Sequence, residues 1–590
     1  MTLTIVTSYV NYYRTPIVNH HFRLQFLQKI LNLSIPVVIF VTPDCLSIVQ
    51  QFVDKQVENK PCIIPLAKSF FESSYMYLTT VQTEHGPVQL PAKRFQPKDT
   101  LDYMCYQHSK VEFINKITEL NPFSTTYFAW CDYDLFRHWD CPQVLKYIHT
   151  HGLGKITHRP PTEKDQTRPW SLEDQIFFPG CWSKATYMID FLCNHVCWRF
   201  SGGFFLGNVH SIQKFHRLYL EHFPRFLDER RTITWDVNFW ALLEQSTDWE
   251  PYVYEADHNV TMISNFPLFA FASRAKFEKS IEYPCPTVEG FHASSCSVIQ
   301  YNQSCIMNVR YVNYWYKPDG HCDLSNEDGK TCTTNRMTRI HPSTFEALVD
   351  DSVFRTVEET TMGLPEPDPD EQFQGVEDIR LYTYKNKLKF IATTVNYSGC
   401  ATNRMIYGDY NIHDDNRLVQ LENVKVMRPP YPTHKEKNWI PFHSITEPDK
   451  EYFIYSWFPF RMGIMKTIVT DNEDGTRSES HQLDITHHYN TVFPLDVIVR
   501  GSTNFMYVEG EYIGLVHVSE EKSLPKRYFH MIIWLDGTTY RPLRCSKLFY
   551  FDQYGPEFCL SMDITRDHYV FWISRYDRDP LCVWFHKSMF

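Results

Sequence analysis

The sequence predicts an α/β domain over residues 1–278 followed by an all-β domain, a five-bladed propeller, over residues 279–590. Three observations support this. The first third alternates short apolar runs with helix-like stretches, which reads as βαβ units and a parallel sheet. From about Tyr283 the long helical patterns cease, and short strands rich in Tyr, Phe, Ile and Val are broken by turn signals such as PDG, EDG and LDG. The stretch left, roughly 300 residues, suits four-stranded blades of roughly 40 to 60 residues each.

Taken in order, TLTIVTSY reads as the first strand, His20 to Leu33 as a helix, PVVIFV as the second strand and Leu46 to Val57 as a second helix. Ligands of such sheets bind at the carboxyl ends of the strands, so Thr7 to Tyr13, with Thr7 and Tyr9 in particular, is where a nucleotide would sit. The acidic, Pro-rich stretch GLPEPDPDEQFQG, residues 363–375, reads as an exposed loop between blades.

Composition narrows the function classes. A net charge of -11 without a Lys/Arg cluster argues against a nucleic-acid binder. The longest apolar run, Ile35 to Val41, is far below the roughly 20 residues of a spanning helix. MTLTIVTSYV lacks the pattern of a secretory signal, and 17 cysteines without CxxC pairs suggest reduced thiols, so the expected location is cytoplasmic. The denser group Cys285, Cys296, Cys305, Cys322 and Cys332 leaves room for a disulfide or two. Cys193-Asn-His-Val-Cys197 reads as an apolar helix face rather than a zinc site. The 43 Phe, 36 Tyr and 14 Trp suit both aromatic-rich strands and surfaces that stack on sugars.

The sharpest local signal in the first domain is TTYFAWCDYDLF. Strand alternation would place Asp132 and Asp134 on one side of a strand end, where hard carboxylate ligands suit Mn²⁺ ahead of Mg²⁺ and a sugar-nucleotide diphosphate. In RFSGGFFLGN, Gly202 and Gly203 allow close backbone approach, to a donor sugar or simply in a tight bend. Asp236 in TITWDVNFW reads as a sugar contact, a base or a helix cap, and His258 as a completing metal ligand or a structural histidine. The series TIVTSYV, PVVIFVT, SKVEFINKITELNPFSTTYFAWCDYDLF, RFSGGFFLGN and ITWDVNFW resembles the HtrL/YibB-like glycosyltransferase group over residues 1 to about 275. The resemblance implies a GT-A-like fold, a nucleotide-sugar donor and a divalent metal. Two departures stand out: Asp132-Tyr133-Asp134 replaces a single Asp followed by a small residue, and Asp236-Val237 replaces an Asp-Gln pair.

In the second domain, polar constellations recur at blade-like intervals: Asn308-Val-Arg310 with Asn313, Glu377-Asp378-Ile-Arg380, Lys437-Asn438-Trp439, His517, and Arg527-Tyr528-Phe-His530. One such group per blade would converge on the propeller axis and build a sugar-sized pocket; the plain alternative is a set of ion pairs that stabilise blades. The blocks NVRYVNY, TTNR, GVEDIRLY, KEKNWIPF, IYSWFPF, VRGST, IGLVH, RYFH and PEFCLS resemble the five-bladed propellers of β-mannoside phosphorylases and related mannosyltransferases. By that resemblance Asp378 would be a general acid, with Arg310, Lys437, His517, Arg527 and His530 as anion or sugar contacts and no cofactor in the propeller.

Together these readings predict a bifunctional glycosyltransferase using nucleotide-sugar donors and a glycan or glycoprotein acceptor, of a kind resembling glycan machinery of large DNA viruses. The alternatives are one active N-terminal transferase with a carbohydrate-binding propeller, a propeller phosphorylase or hydrolase, and a non-catalytic lectin-like protein.

Overall fold

A computed structural model describes residues 2–11, 19–56, 60–66, 88–138, 143–153, 175–317, 320–326, 329–348, 354–358, 372–395, 402–413, 418–433, 435–471, 477–490, 498–520 and 525–590. Tyr12 and Tyr13 and residues 363–371 of the acidic stretch lie outside the described residues. The chain forms two compact units that divide after Phe271.

The first unit is built on strands β1 (Leu3–Tyr9), β2 (Val37–Val41), β3 (Cys62–Pro65), β4 (Tyr127–Cys131), β5 (Ile176–Gly180), β6 (Phe204–Asn208) and β7 (Tyr252–Glu255). They form one sheet in the order β3-β2-β1-β4-β6-β5-β7. β1, β2, β3 and β4 run parallel, whereas β6 is antiparallel to both β4 and β5. β1 is buried along its whole length, as expected of a central parallel strand written as a continuous apolar run.

Strand order reverses between β1 and β4, so the crevice beyond their carboxyl ends is the natural ligand position. Helix α1 (His20–Leu31) follows β1 and α2 (Pro43–Gln56) follows β2. Helix α3 (Leu101–Leu120) is capped by the Thr100 side chain at its start and by left-handed Asn121 at its end. It is buried along most of its length, Lys110 included, which brings a charged side chain to the end of β4. The aromatic core under the sheet includes Phe178, Phe205, Phe215 and Trp240.

The second unit is a ring of five antiparallel blades. Blade I comprises His292–Tyr301, Ser304–Val312, Thr331–Ile340 and Arg355–Glu358. Blade II comprises Glu377–Tyr384, Lys387–Thr394, Arg404–His413 and Leu418–Arg428. Blade III comprises Ile440–His443, Glu451–Trp457, Phe460–Asp471 and Arg477–Tyr489. Blade IV comprises Val499–Gly501, Glu511–Glu520, Arg527–Asp536 and Pro542–Cys545. Blade V comprises Glu557–Ile564, His568–Arg575 and Arg578–His586, and its fourth strand is Lys279–Glu282, from before blade I. This borrowed strand closes the ring, so the start of the unit is tied to its end.

Small hydroxyl side chains on the inner strands join the blades. Ser297 of blade I accepts from the Leu381 backbone of blade II at 2.9 Å, and Ser561 of blade V accepts from the Val298 backbone at 2.7 Å. Arg380, fully buried, spans three blades by donating to the Ser502 carbonyl at 3.0 Å, the Gly501 carbonyl at 3.3 Å and Asn438 Oδ1 at 2.9 Å. Among the described residues, Cys285, Cys296, Cys305, Cys322 and Cys332 form no disulfide. Of the acidic stretch, Phe373 and Gln374 pair with Thr331 and Cys332 rather than lying in a loop. Among the described residues, no helix is long and apolar enough to cross a membrane.

Candidate functional site

In the first unit, β4 stops at Cys131, and Asp132 and Asp134 fall in the turn that follows. The strand alternation expected to align them therefore does not apply. They nevertheless line one cleft of about 570 Å³, together with Lys98, Lys110, Arg137, Trp198, Gly202, Gly203, Asp236 and His258. The turn is pinned by the Asp132 N–H donating to the Gly203 carbonyl at 2.9 Å and the Leu135 N–H donating to the Asp132 carbonyl at 2.9 Å.

The centre of this cleft is Lys110, which sequence reasoning missed. Its ammonium lies 3.1 Å from Asp132 Oδ1 and 3.7 Å from Asp236 Oδ2, and it donates to the Gly202 carbonyl at 2.9 Å. Asp132 Oδ1 also accepts from Trp130 Nε1 at 2.8 Å. The two glycines give their space to these carboxylates: a Cβ on Gly202 would meet Asp236 Oδ2 at 3.0 Å, and one on Gly203 would stand 3.7 Å from Asp132 Oδ2. Asp236 is the first residue of helix Asp236–Ser246 and makes no cap, since the preceding residue Trp235 holds the cap position. Burial pushes the Asp236 carboxyl up to about 6, with Lys110 pulling the other way.

Two expectations for this unit change. Thr7 and Tyr9 are fully buried, with the Tyr9 hydroxyl bonded to His20 Nδ1 at 3.0 Å, so neither side chain offers a donor-sugar contact. Beside them Arg23 donates to the Tyr133 hydroxyl at 2.6 Å and covers the Tyr9 and Tyr133 rings. Among the described residues, no group of three or more His, Cys, Asp or Glu side chains is placed to hold a metal ion, so Asp132, Asp134 and His258 do not gather as ligands. His258 packs edge-on against Trp198 at 4.1 Å, and its Nδ1 is 3.4 Å from Ser201 Oγ. Both Asp132 oxygens are instead engaged by the Lys110 ammonium, at 3.1 and 3.2 Å.

In the second unit, a pocket of about 440 Å³ opens where the inner strands begin. It is lined by Glu377 and Asp378 of blade II, Asn438 and Lys437 before blade III, Arg500, His517 and Tyr528 of blade IV, and Glu557, Phe558 and Asp577 of blade V. Arg310 of blade I and Tyr314 of the short strand Tyr314–Tyr316 also line it. Arg310 donates to Asp378 Oδ1 at 2.9 Å and lies 4.0 Å from Glu377; Lys437 donates to Glu377 Oε2 at 3.0 Å. Although burial works against it, Lys437 and Arg310 hold the Glu377 carboxyl below its usual range.

Asp577, in the turn between two strands of blade V, was not foreseen. It has a left-handed backbone with φ 53°, and its Oδ2 accepts from the Tyr314 hydroxyl at 2.9 Å. Loss of solvent raises its carboxyl above the usual range; Arg310 and the Tyr314 bond oppose this, and the Asp378 and Glu377 charges add to it. Buried Glu557 accepts from the backbone N–H groups of Phe551, Asp552 and Gln553, and burial pushes it up to about 7.

Of the other predicted propeller residues, Asn438, His517 and Tyr528 reach the pocket, and His517 Nδ1 is bonded to Ser502 Oγ at 2.8 Å. Arg380, Trp439, Asn313, Arg527 and His530 do not line it. Trp439 is fully buried and donates to Glu436. Asn313 clamps the Lys330 carbonyl and the Cys332 N–H. Arg527 pairs with Glu520 across its own hairpin at 3.1 Å. His530 is fully buried beside Phe549 and Phe551, with no partner for either ring nitrogen among the described residues. Inner-strand and hairpin positions look alike in sequence, yet only those at the mouth of the ring reach the pocket.

No family model and no curated protein matches the sequence. Solved structures similar to it include a β-1,2-mannobiose phosphorylase from Listeria innocua, 12% identical, covering 53% of this chain and 98% of that one with a TM-score of 0.31. A mannose phosphorylase from Leishmania mexicana in complex with phosphate ion is 12% identical, covering 53% and 90%, with a TM-score of 0.25. A glycosyl hydrolase from Bacteroides ovatus is 10% identical, covering 54% and 95%, with a TM-score of 0.31. Likeness at this level decides neither substrate nor chemistry.

Proposed function

We propose that this chain is a carbohydrate-active enzyme whose propeller pocket makes or breaks a glycosidic bond with a phosphate-bearing partner. The observation that carries this reading is the meeting of a carboxyl raised by desolvation, Asp577, with Arg310, Lys437 and Arg500 in one aromatic-walled pocket. A proton donor serves the departing glycosidic oxygen, and guanidinium and ammonium groups suit a phosphate. In the phosphorolytic direction a phosphate oxygen bonds to the anomeric carbon, the carbon–oxygen bond to the aglycone breaks, and that oxygen takes the Asp577 proton. Asp378, engaged by Arg310, is then a group that positions the guanidinium and the sugar rather than the acid.

The test is to incubate the purified protein with a panel of disaccharides and inorganic phosphate while following sugar 1-phosphate and free sugar. Phosphate-dependent release, lost in Asp577→Asn, is expected. Sugar binding with no bond cleaved or formed in either direction would leave a lectin in place of an enzyme.

A second activity in the first unit is favoured by a specific observation: Asp132 and Asp236 converge in a cleft beyond the carboxyl end of β4, in an α/β sheet of the kind whose ligands bind at strand ends. Asp236, raised to about 6, suits a general base that activates an acceptor hydroxyl near neutral pH. On this reading the unit transfers sugar from a nucleotide-sugar donor to a glycan or glycoprotein acceptor. Release of nucleoside diphosphate from one donor in a panel, abolished in Asp236→Asn, is the result that supports it.

A further inference from the structure

Divalent cations need hard oxygen ligands with lone pairs to spare. In the first unit's cleft those oxygens already surround a cation. The Lys110 side chain is 1% exposed, and its ammonium sits among both Asp132 oxygens at 3.1 and 3.2 Å, the Gly202 carbonyl at 2.9 Å and Asp236 Oδ2 at 3.7 Å. Three separate chain segments thus cage one side chain delivered by helix α3. An ion bound to Asp132 at ordinary coordination distances of about 2.0 to 2.6 Å would stand against that ammonium and be repelled by it. The glycines at 202 and 203 keep the cage tight, because a side chain at 202 would press on Asp236. At the same time two further cations, Lys98 and Arg137, line the cleft.

We infer that the first unit takes a nucleoside diphosphate without a divalent metal, the Lys110 ammonium being its built-in cation and Lys98 and Arg137 the groups that meet the phosphates. The inference rests on the nucleotide-sugar reading of this unit. Lys110 is a positioning residue here: it holds the Asp132 and Asp236 carboxylates together and cancels part of their charge, so that an anionic ligand can approach. Lys98 and Arg137 then supply the charge-assisted hydrogen bonds that a bridging metal would otherwise replace.

The test uses the full chain and two readouts that do not depend on turnover. In the first, calorimetric titrations of UDP and GDP are run in EDTA and again in Mn²⁺. Dissociation constants agreeing within about threefold between the two conditions are expected, with at least a tenfold weakening in Lys98→Ala/Arg137→Ala. In the second, the electron paramagnetic resonance signal of free Mn²⁺ is followed as protein is added without nucleotide, and it should stay undiminished at stoichiometric protein. Nucleotide binding that appears only with Mn²⁺, together with Mn²⁺ retained by the protein and released in Asp132→Asn, would overturn the inference and leave the nucleotide reading standing. Metal-free binding indifferent to the Lys98 and Arg137 changes would overturn their assignment. Absence of binding by either nucleotide in both conditions would sink the nucleotide reading and this inference with it.

Discussion

The two pockets gather the same kinds of group by opposite routes. In the first unit, carboxylates and a lysine come from the end of one strand, the middle of a buried helix, a glycine turn and a helix start, all met within one sheet crevice. In the propeller, groups from every blade or the segment beside it meet at the mouth of the ring, which Lys279–Glu282 closes by pairing with the last strand of blade V. The first site therefore shares one buried cation between two carboxylates. The second spreads its polar groups over pairs: Arg310 with Asp378, Lys437 with Glu377, and Tyr314 with Asp577. A shared cation holds its carboxylates still, whereas separate pairs present their charges around the rim of the pocket.

The largest expected effect comes from removing the propeller's proton donor. Asp577→Asn keeps the size and the hydrogen bond from Tyr314 but cannot release a proton, so turnover should fall by about 10² to 10⁴ while sugar affinity changes little. Glycoside turnover and disaccharide titration on the same preparation check this. A collapse of both would make Asp577 a structural part of the pocket instead.

Next is Arg380, which separates the body of the propeller from its pocket. Arg380→Leu strands the Ser502 and Gly501 carbonyls and Asn438 Oδ1 in a buried position, and should cost about 3 to 5 kcal/mol in urea unfolding. Lys437→Ala, at a side chain 39% exposed, should cost less than about 1 kcal/mol and show its effect in ligand binding. Equal losses from the two variants would erase the distinction between them.

These residues also show what the sequence made legible. Strand-and-helix alternation located the first unit's sheet, and turn signals with short aromatic strands located the blades. Asp132, Asp134, Asp236, Gly202 and Gly203 share a cleft, as do Arg310, Glu377, Asp378, Lys437 and Asn438 in the propeller. Lys110 was hidden because a lysine within a helical pattern reads as a solvated face, and only the depth of α3 shows otherwise. Asp577 was hidden because it lies in a hairpin turn, where an Asp is expected for local reasons. Arg380, Trp439 and His530 were assigned to the pocket because alternation tells which face a side chain takes, not how far along the ring axis its strand has travelled.

The pH dependence of the first unit gives an effect of about 3 kcal/mol. The folded Asp236 carboxyl, at about 6, lies above its unfolded value of 3.8, so between these limits the native state binds more protons than the unfolded state. Its contribution to stability is present in full below about 3.8 and is lost as pH rises to about 6. The loss is roughly 3 kcal/mol, at 1.36 kcal/mol per unit. Unfolding free energies of wild type and Asp236→Asn from pH 4 to 7 should diverge across this window and run parallel above it. Base activity has the opposite sign, since the carboxylate form is the working one: nucleoside diphosphate release should climb through pH 6 and level off above it. Parallel stability curves throughout would place the Asp236 carboxyl in an ordinary, solvated setting and remove it from the base role.

The smallest effect tests whether a buried histidine outside the pocket serves anything but packing. His530 faces His517 across neighbouring strands, yet His517 is bonded to Ser502 and borders the pocket, while both ring nitrogens of His530 lie buried against Phe549 and Phe551 without partners among the described residues. Burial drives its ring down to about 3, so it is neutral at any ordinary pH and contributes no charge to an anion site. His530→Phe exchanges unpaired polar atoms for apolar ones of similar shape, and should leave sugar and phosphate affinity unchanged while stability stays level or rises by up to about 1 kcal/mol. His517→Phe should do the reverse, breaking the Ser502 bond and weakening ligand binding at the same time. Thermal unfolding and phosphate titration of the two variants decide it: a loss of phosphate affinity in His530→Phe would return that histidine to the pocket and show that the ring's interior, and not only its mouth, takes part in binding.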